Sequence, residues 1–223
     1  YFFMPLWDVS SSACFSNKLL HCNQIPGRAV KIQTKPAQGW TNLPHSKQPC
    51  LEFDITVPPT YVKGYAMHVL VYASTDAGYD RMLISEGKDA KAAITDIAMG
   101  EYGPWITRNF DARDYTRNGR FRFQILELST DGKDFKLYQS AINMADPYSV
   151  PASLSKEVEQ VAGTYMEVDD PWAFMDGWMS SDLYLEQLGM HANWWGKATK
   201  YVLEHQVWDM AFSWVGTIDH IEH

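Results

Sequence analysis

The sequence predicts a mixed α/β (α+β) protein, with an antiparallel, β-rich part in residues 1–150 and helices followed by one buried strand in residues 151–223. Three observations predict it. Apolar and polar residues alternate along several segments between residues 51 and 141, which is the period of half-buried strands. From about residue 153 the apolar spacing lengthens to that of helices. Residues 207–215 form a mostly apolar run that is too short for a further helix and is typical of a strand covered on both faces.

The β-rich part begins after an irregular stretch. Residues 1–49 contain scattered prolines and polar clusters, so we expect loops with short strands there. Leu51–Val57 places every second residue on one apolar face and predicts the first clear strand. Asp131-Gly132 supplies the positive-φ positions of a tight hairpin between two alternating segments. The further predicted strands are 65–72, 80–85, 92–97, 120–128 and 135–141.

Two helices are predicted after the sheet. Residues 153–161 have apolar residues at helical spacing, with Ser153 as the cap. A longer helix spans about 181–205, where Ser180 or Ser181 is the N-cap and Asp182 adds a favourable negative charge. Its predicted apolar stripe consists of Leu188, Ala192, Trp195, Thr199 and Val202.

Composition excludes several classes of protein. A formal charge of −8 argues against binding to a nucleic-acid duplex, which requires clustered Lys and Arg. The three cysteines, Cys14, Cys22 and Cys50, have neither zinc-site spacing nor the count of a disulfide framework, and favour a reducing compartment such as the cytoplasm. No apolar stretch is long enough to cross a bilayer. We therefore expect a soluble protein without a membrane span.

The residues after the apolar run are rich in metal-ligand types. Asp219 and His223 stand four residues apart, so in a helix their side chains lie on one face within reach of a common ion. Carboxylate and neutral imidazole both bind zinc, manganese or iron. His220 and Glu222 point elsewhere on such a helix and are interpreted as solvated. The position, just past the carboxyl end of a buried strand, is where open α/β sheets place ligand sites.

This ending resembles a segment of the type I phosphodiesterase and nucleotide pyrophosphatase family of the alkaline phosphatase superfamily. The residues that carry the resemblance are Trp208-Asp209-Met210-Ala211-Phe212-Ser213-Trp214 and Ile218-Asp219-His220-Ile221-Glu222-His223. The preceding helix, with Met190-His191-Ala192-Asn193-Trp194-Trp195, is similar to the helix before that strand in the family. Residues 79–89 and 123–128 resemble the β-rich insertion of some relatives. The likeness covers about two thirds of the chain.

The resemblance implies an insertion (cap) domain, residues 1–150, followed by a helical segment and one strand of an incomplete alkaline phosphatase-like α/β core, residues 151–223. It implies a two-metal hydrolase of phosphate diesters, nucleotide pyrophosphates or phosphate monoesters, with zinc as the first choice of metal and manganese or iron as alternatives. Asp219 and His223 would be metal ligands, and the substrate would be a small phosphate ester or nucleotide. The Thr or Ser nucleophile and the remaining ligands of the family have no counterpart here, so we expect further sequence on both sides and no hydrolysis by this chain alone.

An alternative interpretation is a non-catalytic module in which the β-rich part binds a carbohydrate or a protein. Trp40 and Trp105, which lie in predicted loops beside Gly39 and Pro104, are the candidates for an exposed ligand contact. Trp172, Trp178, Trp194 and Trp195 have the spacing of core residues or of a base-stacking cleft, and the core is the commoner outcome. The charged residues of 79–89 are interpreted as the wet face of a strand. Ser213 and the serines at 10–12 lack any nucleophile motif.

Overall fold

The computed structural model describes residues 2–3, 12–18, 22–23, 27–57, 65–111, 116–145, 147–166, 169–213, 215–217 and 219. The strands within these ranges are β1 (Phe2–Phe3), β2 (Ala13–Ser16), β3 (Ala29–Lys31), β4 (Lys35–Pro36), β5 (Leu51–Val57), β6 (Tyr65–Tyr72), β7 (Arg81–Ser85), β8 (Thr95–Ala98), β9 (Ile106–Asp111), β10 (Thr116–Phe121), β11 (Phe123–Leu128), β12 (Phe135–Gln139), β13 (Asn143–Met144) and β14 (Ser149–Val150). The helices are α1 (Ala152–Ala162), α2 (Pro171–Met175) and α3 (Ser181–His205), with a short 3₁₀ turn at Ala90–Ala92. The predicted mixed α+β class with antiparallel sheets is confirmed.

A five-stranded antiparallel sheet forms one side of the β-rich part, in the order β4-β5-β6-β7-β8. Phe53 and Ile55 on β5 are buried, while Asp54 and Thr56, which alternate with them, are exposed, as the pattern predicts. The exception is Glu52, which is buried on the opposite face. The predicted strand 92–97 is shorter than expected, because its first residue belongs to the 3₁₀ turn.

A four-stranded sheet in the order β11-β12-β2-β3 packs against the first one. The rings of Phe53 and Phe135 stack across the interface with centroids 4.5 Å apart. The predicted hairpin is confirmed: Leu128 pairs with Phe135, and Gly132 between them has φ of 70°. Strand β2 pairs with β12 and runs parallel to β3, so the irregular N-terminal stretch completes this sheet.

The predicted strand 120–128 is two strands that belong to different sheets. Strand β10 lies in a three-stranded sheet with β9 and β13, whereas β11 lies in the four-stranded sheet. Arg122 is the residue between them. The alternation continues through this corner, which is why the sequence alone reads as one strand.

The helices cover the sheets and share their core. Leu154 and Val158 of α1 and Trp194 and Ala198 of α3 belong to the same buried cluster as the sheet residues. Helix α3 has the predicted N-cap, since the side chain of Ser180 accepts a hydrogen bond from the backbone N–H of Leu183. Helix α1 begins one residue before the predicted cap, at Ala152. The division at residue 150 marks the change from strands to helices and stays a prediction as a domain boundary.

The buried stripe of α3 is rotated from the predicted one. Its buried residues are Leu183, Tyr184, Gln187, Leu188, His191, Trp194 and Ala198. Of the predicted stripe only Leu188 is buried, because Ala192, Trp195 and Thr199 instead line a groove between α3 and the chain that follows it. No helix of the described residues has the length and apolar character to cross a membrane.

The predicted buried strand at 207–215 is wrong for the described residues. Residues 207–213 have no regular secondary structure, and Val207 is 88% and Phe212 92% exposed. The apolar run has the composition of a strand, but the described part of the chain offers it no neighbouring strand to pair with. Composition sets the preference for a strand, and pairing decides whether one forms.

Candidate functional site

The segment after α3, residues 207–219, folds back along that helix and is called the tail below. Trp208 Nε1 donates to the carbonyl of Leu203 at 3.0 Å. Further on, Ser213 Oγ lies 3.1 Å from Thr199 Oγ1, and Thr217 Oγ1 lies 3.4 Å from His191 Nδ1. The later tail residue, 217, therefore contacts the earlier helix residue, 191, and residue 213 contacts residue 199. This order of contacts is expected for an extended chain that runs antiparallel to a helix.

Asp219, one of the two predicted metal ligands, is exposed and has helical backbone conformation, as does Thr217. His223, together with His220 and Glu222, lies outside the described residues. The pairing of Asp219 with His223 therefore stays a prediction. Among the described residues there is no group of three or more His, Cys, Asp or Glu side chains that could hold a metal ion.

The cysteines offer no competing metal site. None of Cys14, Cys22 and Cys50 forms a disulfide within the part of the chain that the structure describes. Burial raises the pKa of the Cys14 thiol to about 12, so this side chain is a protonated thiol at neutral pH. Burial also raises the pKa of Cys50.

His191 is a buried polar residue that the tail covers. The indole N–H of Trp195, one helical turn on, donates to His191 Nε2 at 2.9 Å. Since Nε2 accepts a hydrogen bond, it carries no proton, and the ring is the neutral tautomer with its proton on Nδ1, the nitrogen that faces Thr217. This arrangement fixes the imidazole between the helix and Thr217 of the tail, two residues before Asp219. The sequence analysis quoted His191 only as part of the resemblance.

A buried ion pair that the sequence did not reveal joins the four-stranded sheet to α2. Arg28 Nη2 lies 2.6 Å from Asp170 Oδ2, and both side chains are buried. Tyr138 OH also donates to Asp170, at 2.9 Å, and Ser12 completes the network. Burial, and then the charge of Asp170, raise the pKa of Tyr138 well above its ordinary value. Every group here has a partner, so the network positions the helix and leaves no free base for chemistry.

A cleft of about 540 Å³ lies between strand β11 and the start of α3. The charged residues in its lining are Glu127, Lys136, Asp182 and Glu186. Lys136 Nζ is held by the carbonyl groups of Gly177 and Trp178 at 3.5 and 3.4 Å. The cleft is thus acidic on balance, and it has the size of a small-ligand site.

The tryptophans are divided between core and surface. Trp178 and Trp194 are buried, as predicted for core residues, and Trp195 is half-buried, but Trp172 is 41% exposed. Trp105 lies in a loop, and its ring faces the Arg122 guanidinium. Trp40, the other ligand-contact candidate, is tied to the sheet because its Nε1 donates to Glu52 at 2.7 Å.

The charged segment 79–89 takes part in ion pairs. Lys88 Nζ lies 2.9 Å from the buried carboxylate of Glu52, and Arg81 Nε lies 3.0 Å from Asp96. Burial alone would raise the pKa of Glu52, but the hydrogen bonds from Lys88 and Trp40 outweigh it and lower the pKa to about 2. These contacts hold strands and loops together, so the segment provides no acid and base pair for catalysis.

No family model, curated protein or solved structure matches this chain.

Proposed function

We propose that this chain forms part of a metal-dependent hydrolase of phosphate diesters, nucleotide pyrophosphates or phosphate monoesters. Asp219 and His223 would be two ligands of a divalent ion, zinc first, and the Thr or Ser nucleophile of the two-metal mechanism would lie outside these residues. The proposal rests on the residues that resemble the type I phosphodiesterase family and on the exposure of apolar side chains in the tail.

The observation that carries the proposal is the exposure of an apolar tail. Val207, Met210 and Phe212 are each at least 72% exposed, although full burial of such a side chain is worth about 1.5–3 kcal/mol. A run of this composition is stable when it pairs as a strand and both of its faces are covered. We therefore propose that residues 207–215 become a strand of an alkaline phosphatase-like α/β sheet, with Asp219 and His223 following past its carboxyl end.

The residues present are suited in part to the proposed ion. Helical backbone at Thr217 and Asp219 favours a turn of helix in which Asp219 and the residue four positions later share a face. A carboxylate oxygen and an imidazole nitrogen are ordinary zinc ligands, but two are fewer than the three or four that zinc sites use. The ion would need ligands from elsewhere in the protein. When bound, it would supply Lewis-acid activation of a water, while Asp219 and His223 would hold it in position.

The β-rich part would then act as the cap of the site. In the proposed enzyme the two packed sheets cover the mouth of the active site and determine which leaving group fits. The buried Arg28–Asp170 pair and the shared core join this cap to the helices that precede the tail. Such a rigid connection would set the position of the cap relative to Asp219.

The test is hydrolysis of a nitrophenyl phosphodiester by a longer polypeptide that contains the flanking sequence, with zinc or manganese. Asp219→Ala and His223→Ala should each abolish turnover. Asp111→Ala and His205→Ala, changes of the same residue types at exposed positions outside the tail, are the matched controls and should retain it. Absence of activity with every divalent ion tried, or full activity of Asp219→Ala, would overturn the proposal.

The cleft beside α3 favours a second candidate, the binding module for a carbohydrate or a protein. Its size and its polar lining suit a hydroxyl-rich ligand. Screening of the whole chain against a glycan array, with Asp182→Asn and Glu186→Gln as cleft variants, separates the two proposals. Glycan binding that both variants lose, together with an inactive longer polypeptide, would replace the hydrolase by the module.

A further inference from the structure

Arg122, the corner residue between β10 and β11, is held between two aromatic rings. Its guanidinium carbon lies 3.8 Å from the ring centroid of Tyr102 and 4.6 Å from that of Trp105. Gln187 of α3 holds one of these rings, because its Nε2 donates to Tyr102 OH at 3.1 Å. Stacking on aromatic faces fixes the plane of a guanidinium without using its hydrogen-bond donors.

The donors of this guanidinium lack an anionic acceptor. Nη2 donates to the thioether sulfur of Met190 at 3.2 Å, a weak acceptor, and the buried Nε has no hydrogen-bond partner. Every other arginine whose side chain the structure describes forms an ion pair with a carboxylate, at distances of 2.6–3.0 Å. These are Arg28 with Asp170, Arg81 with Asp96, Arg108 with Glu86 and Arg120 with Glu159. In a chain with a net charge of −8, Arg122 is thus an oriented cation without a counter-ion in the described part of the chain.

We propose that Arg122, clamped by Tyr102 and Trp105, is a binding subsite for the oxyanion of a small ligand, a carboxylate or a phosphate. The planar fork of a guanidinium matches two oxygens of such a group, and charge-assisted bonds of this kind are the strong ones. Burial lowers the pKa of Arg122, which reflects the cost of keeping this charge away from water without a partner. A bound anion removes that cost.

A neighbouring acceptor adds to the chemistry of the subsite. Gln124 lies in β11, two residues after Arg122, and forms a β-bridge with Tyr102, one of the two rings that hold the guanidinium. Its amide oxygen is buried and has no hydrogen-bond partner, and the residue also lines the acidic cleft. A ligand that carries a hydroxyl or amino group beside its oxyanion would satisfy both Gln124 and Arg122. The subsite does not depend on the proposed metal ion.

Calorimetric titration of the whole chain tests the subsite, with inorganic phosphate and succinate as probes at constant ionic strength. We expect saturable binding of at least one probe, and whichever binds more tightly identifies the oxyanion. Arg122→Gln should weaken it by about tenfold or more. Arg108→Gln, which removes an arginine already paired with Glu86, is the matched control and should leave it unchanged.

A second variant keeps the test decisive if Arg122→Gln fails to fold. Glu186 is an exposed carboxylate whose charge acts on Arg122 and therefore repels an incoming anion. Glu186→Gln should tighten anion binding severalfold. The same variant is expected to lose glycan binding if the cleft binds a glycan. Heats that do not saturate with either probe, or binding that neither Arg122→Gln nor Glu186→Gln alters, would overturn the proposal.

Discussion

Arg28 and Asp170 stand 142 positions apart in the sequence and meet in a buried ion pair, with Nη2 and Oδ2 2.6 Å apart. The pair links strand β3, through the residue that precedes it, to the N-cap of α2. Arg28 also lies over the ring of Trp178, 5.3 Å from its centroid. The contact therefore joins the β-rich part to the helical segment that leads to the tail.

Asp170→Asn should destabilise the protein by about 3–5 kcal/mol, because it leaves the buried charge of Arg28 without its partner. The double variant Arg28→Met with Asp170→Asn should be destabilised less than the single variant Asp170→Asn, because it also removes the unpaired buried charge of Arg28. Urea denaturation measures both. Lys18→Ala, at the exposed pair with Glu127, is the control and should leave the stability nearly unchanged, because solvent screens a surface pair. An Asp170→Asn variant as stable as Lys18→Ala would contradict the structural role given to this pair.

Stability should fall in acid as Glu52 takes up a proton. Its pKa is lowered from 4.5 to about 2 in the folded protein, so its contribution is fully present above pH 4.5 and is lost as the pH falls toward 2. The full contribution is on the order of 3 kcal/mol, of which roughly 2 should be lost by about pH 3. Urea denaturation at about pH 6 and pH 3 should show a shallower pH dependence for Glu52→Gln and Lys88→Met than for the wild type. Equal slopes in all three proteins would exclude Glu52 as the titrating group.

Two replacements of glycine by alanine should change the stability of the protein in opposite directions. A Cβ at Gly119 would lie 2.4 Å from Ile142 Cγ2 and 2.9 Å from the ring of Phe110, so Gly119→Ala should destabilise by about 1–3 kcal/mol. At Gly189 in α3 nothing lies within 4 Å, and Gly189→Ala should stabilise by up to about 1 kcal/mol through helix propensity. Thermal unfolding compares the two. Stabilisation by Gly119→Ala would mean that β10 and its neighbours pack less closely than described.

Replacement of exposed apolar residues in the tail should change association more than stability. Phe212→Ser and Val207→Ser should each alter the unfolding free energy of this chain by no more than about 0.5 kcal/mol, since these side chains are in water. Phe135→Ala in the core is the contrast, at about 3–5 kcal/mol. Light scattering should show less self-association of the tail variants. A cost for Phe212→Ser that approaches that of Phe135→Ala would place Phe212 in a core.

Local pattern was sufficient to predict much of the sheet and both long helices. Strand β5 was predicted from its alternation, the hairpin from Asp131-Gly132 and the start of α3 from Ser180, because each signal lies within a few residues. The break at Arg122 was missed, since two strands in different sheets can continue one alternation. Short strands were expected within residues 1–49, but β2 could not be located there, because its pairing partner β12 lies more than a hundred residues later.

The candidate sites show the same division between local and distant signals. Asp219 was singled out from its spacing to His223, a local pattern. The surroundings of Arg122 come from two segments that are distant from each other in the sequence, the loop that holds Tyr102 and Trp105 and helix α3 with Met190. Residues 207–215 were predicted as a buried strand from the composition and length of the apolar run, but a strand also needs a partner, which this segment does not itself contain.

The most direct test of the proposed metal site is a long-range ¹H–¹⁵N spectrum of the histidine side chains during titration of this chain with excess zinc. The account predicts that the ring nitrogens of His223 shift on addition of zinc and that Asp219→Ala abolishes this shift, with His205 as an internal reference. If the ring nitrogens of His223 do not shift on addition of zinc, or shift by the same amount in Asp219→Ala, the two side chains do not bind one ion and the proposal is contradicted.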